Sequence, residues 1–188
     1  MRKTFLAVLA SFVLASCGEK PAVAQAAPTV AIPVSGPDLW GGAVYGMTPE
    51  QVRATSSEIA EAVQPLDKLQ NGALKLLLRK GVEIANTKFD AQYFFLDGKL
   101  HQVTLGLNDP KSYSEAEFSA KQIKEALTSK YGAPLGCDPF SGAFVKGYSC
   151  NWKRPDGNVR LFLAASDERS PVLNIAYQVG LAQDASKL

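Results

Sequence analysis

Histidine is almost missing from this chain: His101 is the one imidazole among 188 residues. No H-E-x-x-H helix can therefore form, and no pair of histidines can hold a catalytic zinc. G-x-S-x-G, a phosphate-cradling glycine loop and a D-x-D-x-D-G calcium ladder are missing too. Gly41-Gly42 and Gly46 are spaced too irregularly for a nucleotide fingerprint and suit turns or close approach. Cysteine is scarce, at three residues, and none are spaced C-x-x-C. Long apolar runs are missing as well. The longest stretch that matters, Phe5 to Leu14, is ten residues, about half of the ~20 needed to span a bilayer as a helix.

The ends of the chain carry the clearest signal. Arg2 and Lys3 precede the uncharged run FLAVLASFVL, and the small residues Ala15 and Ser16 lead into Cys17. That order is a secretory signal peptide over residues 1–16. The segment Leu14-Ala15-Ser16-Cys17 resembles a lipobox, the processing site of bacterial lipoproteins. The resemblance implies that Cys17 becomes the first mature residue and carries a thioether-linked diacylglycerol, usually with an N-acyl chain. Each buried CH₂ contributes ~0.8 kcal/mol, so two or more chains hold where one would not. Gly18 follows, where Asp commonly retains such proteins at the inner membrane, so the expected address is the outer membrane, facing the periplasm.

Removing the leader changes the charge argument. The chain has 20 basic and 18 acidic residues; without Arg2 and Lys3 the two signs balance. A neutral mature chain with scattered charge argues against nucleic acid and against a polybasic membrane patch. Cys137 and Cys150 then remain, twelve residues between them. An even pair in an oxidising compartment reads as a disulfide, with a metal or redox pair as the weaker reading.

Residues 17–37 read as a lipidated tether, since Pro21, Pro28, Pro33 and Pro37 leave no helical or alternating period. Extended at ~3.1 Å per residue, it would reach ~60 Å. Residues 38–180 form one domain and 181–188 a frayed polar tail.

Thr48-Pro49-Glu50-Gln51 supplies a capping box with proline at the first helical position, after which Val52, Ile59 and Val63 fall near one face. Thr55-Ser56-Ser57 weakens that helix, and 57–71 has no clear period. A second helix is expected from Ser114 with Glu117, its stripe Phe118, Ile123, Ala126, Leu127 and Tyr131, closed by Gly132 and Pro134.

Elsewhere the period is two. Phe89, Ala91, Tyr93 and Phe95 lead through an Asp97-Gly98 turn to Val103, Leu105 and Leu107. Phe144, Tyr148, Cys150 and Trp152 share a parity, followed by turns at 155–158 and 166–170 that separate Val159-Leu161-Leu163 from Leu173-Ile175-Tyr177-Val179. Leu74, Leu76 and Leu78 suggest one more strand. The expected fold is α+β: an antiparallel sheet of about five to six strands covered by two helices, an order compatible with a duplicated α-β-β-β unit. The disulfide would pin a long 133–143 loop to the sheet.

The run Tyr45-Gly46-Met47-Thr48-Pro49-Glu50-Gln51-Val52 resembles the opening motif of BamE-like and β-lactamase-inhibitor-like periplasmic modules, and Phe95-Leu96-Asp97-Gly98-Lys99-Leu100 resembles their hairpin. That likeness implies a helix packed on an antiparallel sheet, while the cysteine pair and the second helix-plus-sheet half depart from a single such module. It transfers no binding residue.

Three functional readings follow. The foremost is a non-enzymatic binding or structural module of the envelope, held to the membrane by lipid and engaging an envelope protein or polymer. It needs no cofactor, and its oligomeric state is open. An inhibitor of a secreted hydrolase is the alternative, and a carboxylate-based hydrolase acting on glycan is the third. His101 reads as a strand-end residue with a satisfied hydrogen bond, and Asp138, Asp167 and Glu168 as solvated turn acids. Trp40, Phe140 and Phe144 either complete the core or form an exposed aromatic patch. No catalytic or metal residue is assigned.

Overall fold

Two capping boxes set the two helices of the computed structural model, which describes residues 34–108 and 112–179. Cys17, the leader, most of the tether and the 181–188 tail lie outside the described residues. In the first box Thr48 Oγ1 accepts from Gln51 N at 3.4 Å, and Gln51 Oε1 accepts from Thr48 N at 2.9 Å. The helix it starts, α1, is only Pro49–Arg53. Thr55 Oγ1 donates to Val52 O at 2.7 Å, the local side-chain competition that makes Thr a poor helix interior. The expected helical face therefore breaks up: Val52 and Ile59 are buried, Ile59 from a loop, while Val63 is exposed.

The second helix, α2, is Tyr113–Tyr131, capped by Ser112 with Glu115 at the third position. This corrects the expected Ser114–Glu117 start: both pairs have the required spacing, and the earlier one forms. The buried stripe is Ala116, Ser119, Ala120, Ile123 and Leu127. Phe118 and Ala126, expected inside, are exposed. Small residues face the sheet here and let the helix approach closely.

A short hairpin, β1 Asp38–Trp40 with β2 Ala43–Val44, precedes α1. The main sheet has eight strands, more than the five to six expected. They are β3 Ala60–Glu61, β4 Leu74–Ile84, β5 Thr87–Leu96, β6 Lys99–Leu107, β7 Gly136–Ser141, β8 Lys146–Arg154, β9 Gly157–Ala165 and β10 Pro171–Val179. Their order is β3-β4-β5-β6-β10-β9-β8-β7, antiparallel throughout. Each half thus runs inward from its edge, and the halves meet where β6 pairs with β10.

Two strands were not legible as such. Residues 133–143 were expected as a long loop, yet 136–141 form β7, paired to β8 with Cys137 opposite Cys150. Within the indistinct 57–71 stretch, β3 pairs with Leu77 and Leu78 of β4. In β4 the expected parity of Leu74, Leu76 and Leu78 is overturned by an irregularity between Lys75 and Leu77, which turns Leu77 into the core. Phe144, expected on the core parity of β8, sits before that strand begins and is 86% exposed.

One face of the sheet carries the core: Phe89, Tyr93, Val103, Leu105, Leu161, Leu163, Trp152 and Ile175 among others, all buried. The helix α2 lies over β8, β9 and β10, α1 lies over β4 and β6, and β1 lies across the seam of β6 and β10. Arg154 holds the hairpin down, Nη1 donating to Leu39 O at 3.1 Å and Nη2 to Asp38 O. Among the described residues no helix is long and apolar enough to cross a membrane.

Candidate binding site on the open sheet face

An antiparallel sheet alternates its side chains, so whatever does not enter the core points to the other face. On β5, β6, β10 and β9 those positions hold Gln92 and Phe94, Gln102 and Thr104, Asn174 and Gln178, and Arg160 and Phe162. They line a groove of about 600 Å³.

Its walls are built locally. On the β5 side stands the turn that holds Leu69, Gln70 and Asn71, which also line the groove. The turn is closed by Leu69 N donating to Ala73 O at 2.9 Å, and Asn71 Oδ1 accepts from Ala73 N at 3.1 Å. On the β9 side Phe162 stacks against Phe140 of β7, ring centroids 5.8 Å apart. At Gly106 of β6 a methyl group would stand 2.9 Å from Gln92 Nε2 and 3.3 Å from Asn174 Oδ1. The missing side chain lets amides from β5 and β10 converge over β6.

Arg160 is the one charged residue lining the groove. Its Nε donates to Ser149 Oγ at 2.8 Å, and its guanidinium lies 5.2 Å from the Phe162 ring centroid. Two anchors of different kind fix the plane of the fork. Among the described residues it has no ion-pair partner. Gln102 Nε2 donates to Thr104 Oγ1 at 2.8 Å.

The residues singled out from the sequence are dispersed. His101 is half-buried at the start of β6, its ring 5.9 Å from that of Tyr45. Asp138 is exposed on β7. Asp167 Oδ1 accepts from Arg169 N at 2.7 Å inside the β9–β10 turn. Glu168 joins that turn to α2: its carbonyl accepts from Tyr113 N at 2.9 Å, Oε1 accepts from Ser114 N at 3.2 Å, and Oε2 lies 3.6 Å from Lys146 Nζ. The three aromatics divide as well. Trp40 packs on the core beneath Arg79, Phe140 supports the groove wall, and Phe144 projects from the β7–β8 turn. The sulfurs of Cys137 and Cys150 are bonded, 2.09 Å apart.

Burial pushes the Tyr93 and Tyr148 phenols up to about 12 and raises Tyr177 further still. All three lie on the core side. For Tyr148 the Glu117 carboxylate adds to burial; for Tyr93 the Arg79 guanidinium opposes it. Among the described residues no group of three or more His, Cys, Asp or Glu side chains stands close enough to hold a metal ion.

No family model, curated protein or solved structure matches this chain.

Proposed function

We propose that this chain is a lipid-anchored periplasmic lipoprotein, acylated at Cys17, whose α+β domain serves the cell envelope as a non-enzymatic binding module. One observation carries the choice of surface: four adjacent strands turn an amide-lined groove with a single unpaired guanidinium to solvent. Outward positions of a sheet that serves only solubility are usually charged, whereas amides offer paired donors and acceptors that a ligand can use. The matched order of the two halves fits a duplicated helix-plus-meander unit, with the groove across the seam between β6 and β10.

The lipid test is incorporation of labelled palmitate into the wild type but not into Cys17→Ser; equal labelling, or none, removes the anchor. The surface test is a photo-crosslinking residue at Ala176, on the groove, against one at Glu125, on the exposed side of α2. Adducts from position 176 alone support the reading, and equal adducts from both remove it.

The inhibitor reading is favoured by one feature, the 86% exposed Phe144 on the β7–β8 turn, a shape suited to filling an enzyme's cleft. Loss of hydrolase inhibition in Phe144→Ser would support it. The glycan hydrolase reading finds no carboxylate among the residues lining the groove.

A further inference from the structure

We infer that the groove binds a short oligosaccharide segment bearing a carboxylate, with Arg160 as its acid-recognising residue; this rests on the reading that the open face is the binding surface.

Charge complementarity is the first argument. Arg160 spends Nε on Ser149 and lies against Phe162, which leaves the two terminal amino groups as a planar fork. A fork of that kind pairs bidentately with a carboxylate. A single cation in a groove of this size is too little for a nucleic acid, whose binding depends on many phosphate contacts.

The amides are the second argument. Gln92, Gln102, Asn174 and Gln178, with Thr104, present donors and acceptors side by side on neighbouring strands. Each sugar hydroxyl both donates and accepts, so it is matched by a group that does the same. About 600 Å³ lies within the ~300–1,000 Å³ of small-ligand sites and exceeds what one sugar ring needs. Phe162, stacked on Phe140, adds apolar surface to the groove lining.

An extended peptide fits less well. Peptides on sheets gain affinity from main-chain bonds at an edge strand. Here one edge, β7, contains Pro139, which cannot donate. At the other, the two-residue β3 pairs with Leu77 and Leu78 of β4, and outside that strand Lys75 N donates to Asp67 O and Ala62 N donates to Leu76 O, so the 74–78 part of β4 is covered. On the face itself the backbone groups are consumed by the ladder.

The experiment is calorimetric titration of the full chain in detergent with two acidic probes, each beside its methyl ester. The probes are an N-acetylglucosamine–N-acetylmuramate disaccharide, representing wall glycan, and trigalacturonate, representing uronate polymers. At least one acid should bind about tenfold or more tightly than its ester. Arg160→Gln should abolish that difference. Gln102→Glu, which places a like charge in the groove, should weaken the acid and spare the ester; its thermal midpoint checks folding independently of Arg160. The acid that binds identifies the source. Equal binding of acid and ester, or binding of neither, overturns the inference. The crosslinker at Ala176 then separates the two levels: protein adducts without sugar binding leave the open face as a surface for a protein, and no adducts with no sugar binding remove both readings.

Discussion

Cys137 and Cys150 stand opposite each other in the register of β7 and β8, their sulfurs joined across the outermost pair of strands. Cys150 is wholly buried, so the bond fastens an edge strand to the core. A six-residue strand that contains Pro139 has little other reason to stay paired. The double variant Cys137→Ala/Cys150→Ala should lose about 3 kcal/mol, the value expected for closing a loop of this length. Urea unfolding measures it, and hydrogen exchange should quicken in 136–141 first. Unchanged stability would mean that the strand is held by its ladder alone.

The inner stripe of α2 gives a second, contrasting pair. Ile123 is 1% exposed and meets the sheet, while Phe118 is 64% exposed. Ile123→Ala should cost roughly 2–4 kcal/mol, from lost transfer energy and the cavity left behind. Phe118→Ser should change stability by no more than about 0.5 kcal/mol. If Phe118→Ser proved the costlier, the helix would be rotated about its axis relative to this structure.

That pair also marks where sequence reasoning reached its end. Period two and the turn residues were sufficient to place β5, β6, β8, β9 and β10, because hairpin chemistry such as Asp97-Gly98 is local. The Asp97 and Gly98 φ angles are 49° and 70°, as a two-residue turn of this kind needs. Helix orientation was another matter. The stripe built on Phe118 and Ala126 scored hydrophobicity, but the close approach of α2 over β8 to β10 selects Ala116, Ser119 and Ala120 for their size. β7 is not legible because Pro139 and Gly136 argue against a strand, while its pairing to β8 with Cys137 opposite Cys150 is not a local signal. The groove is hidden in the sequence for a related reason. Histidine, carboxylates and aromatics are the residues whose chemistry marks a site in sequence, whereas this groove is made of outward amides on strands far apart in sequence. A signal was present: Gln92, Gln102, Asn158, Asn174 and Gln178 occupy outward positions where Lys and Glu are the usual choice.

The β4–β5 turn stores strain that can be released. Ala85 has φ +48° and Asn86 +58°, and left-handed backbone costs a residue with Cβ about 1–2 kcal/mol unless its side chain helps. Asn tolerates it and Ala does not. Ala85→Gly should therefore stabilise by roughly 1 kcal/mol, partly offset by the greater freedom of the unfolded chain. Asp97→Gly, at φ +49° in the β5–β6 turn, should yield less because Asp already accepts this conformation. Thermal midpoints of the two variants, compared with the wild type, decide the point.

Alkaline pH should unfold this protein through its buried phenols. Burial raises Tyr93 and Tyr148 from 10.0 to about 12, and Tyr177 shifts the same way. A raised acid keeps its proton in the folded state after the unfolded chain has released it. Above pH 10 the unfolded state binds fewer protons, and stability falls as pH rises. The contribution is therefore whole below about pH 10 and is lost as pH climbs through about 12. Urea midpoints taken in steps across that window, with phenolate absorbance recorded on the same samples, should fall together with delayed ionisation of four of the six tyrosines, since burial raises Tyr113 as well. Tyr148 isolates one share of the effect, since its buried hydroxyl has no hydrogen-bond partner among the described residues. Removing a buried hydroxyl that pairs with nothing relieves a desolvation cost of about 1–3 kcal/mol and gives up only a few contacts. Tyr148→Phe should thus be neutral or stabilising near pH 7 and should make the alkaline decline shallower. A variant less stable than the wild type at neutral pH would show that the phenol does find a partner, a bound water under α2 being the first to look for.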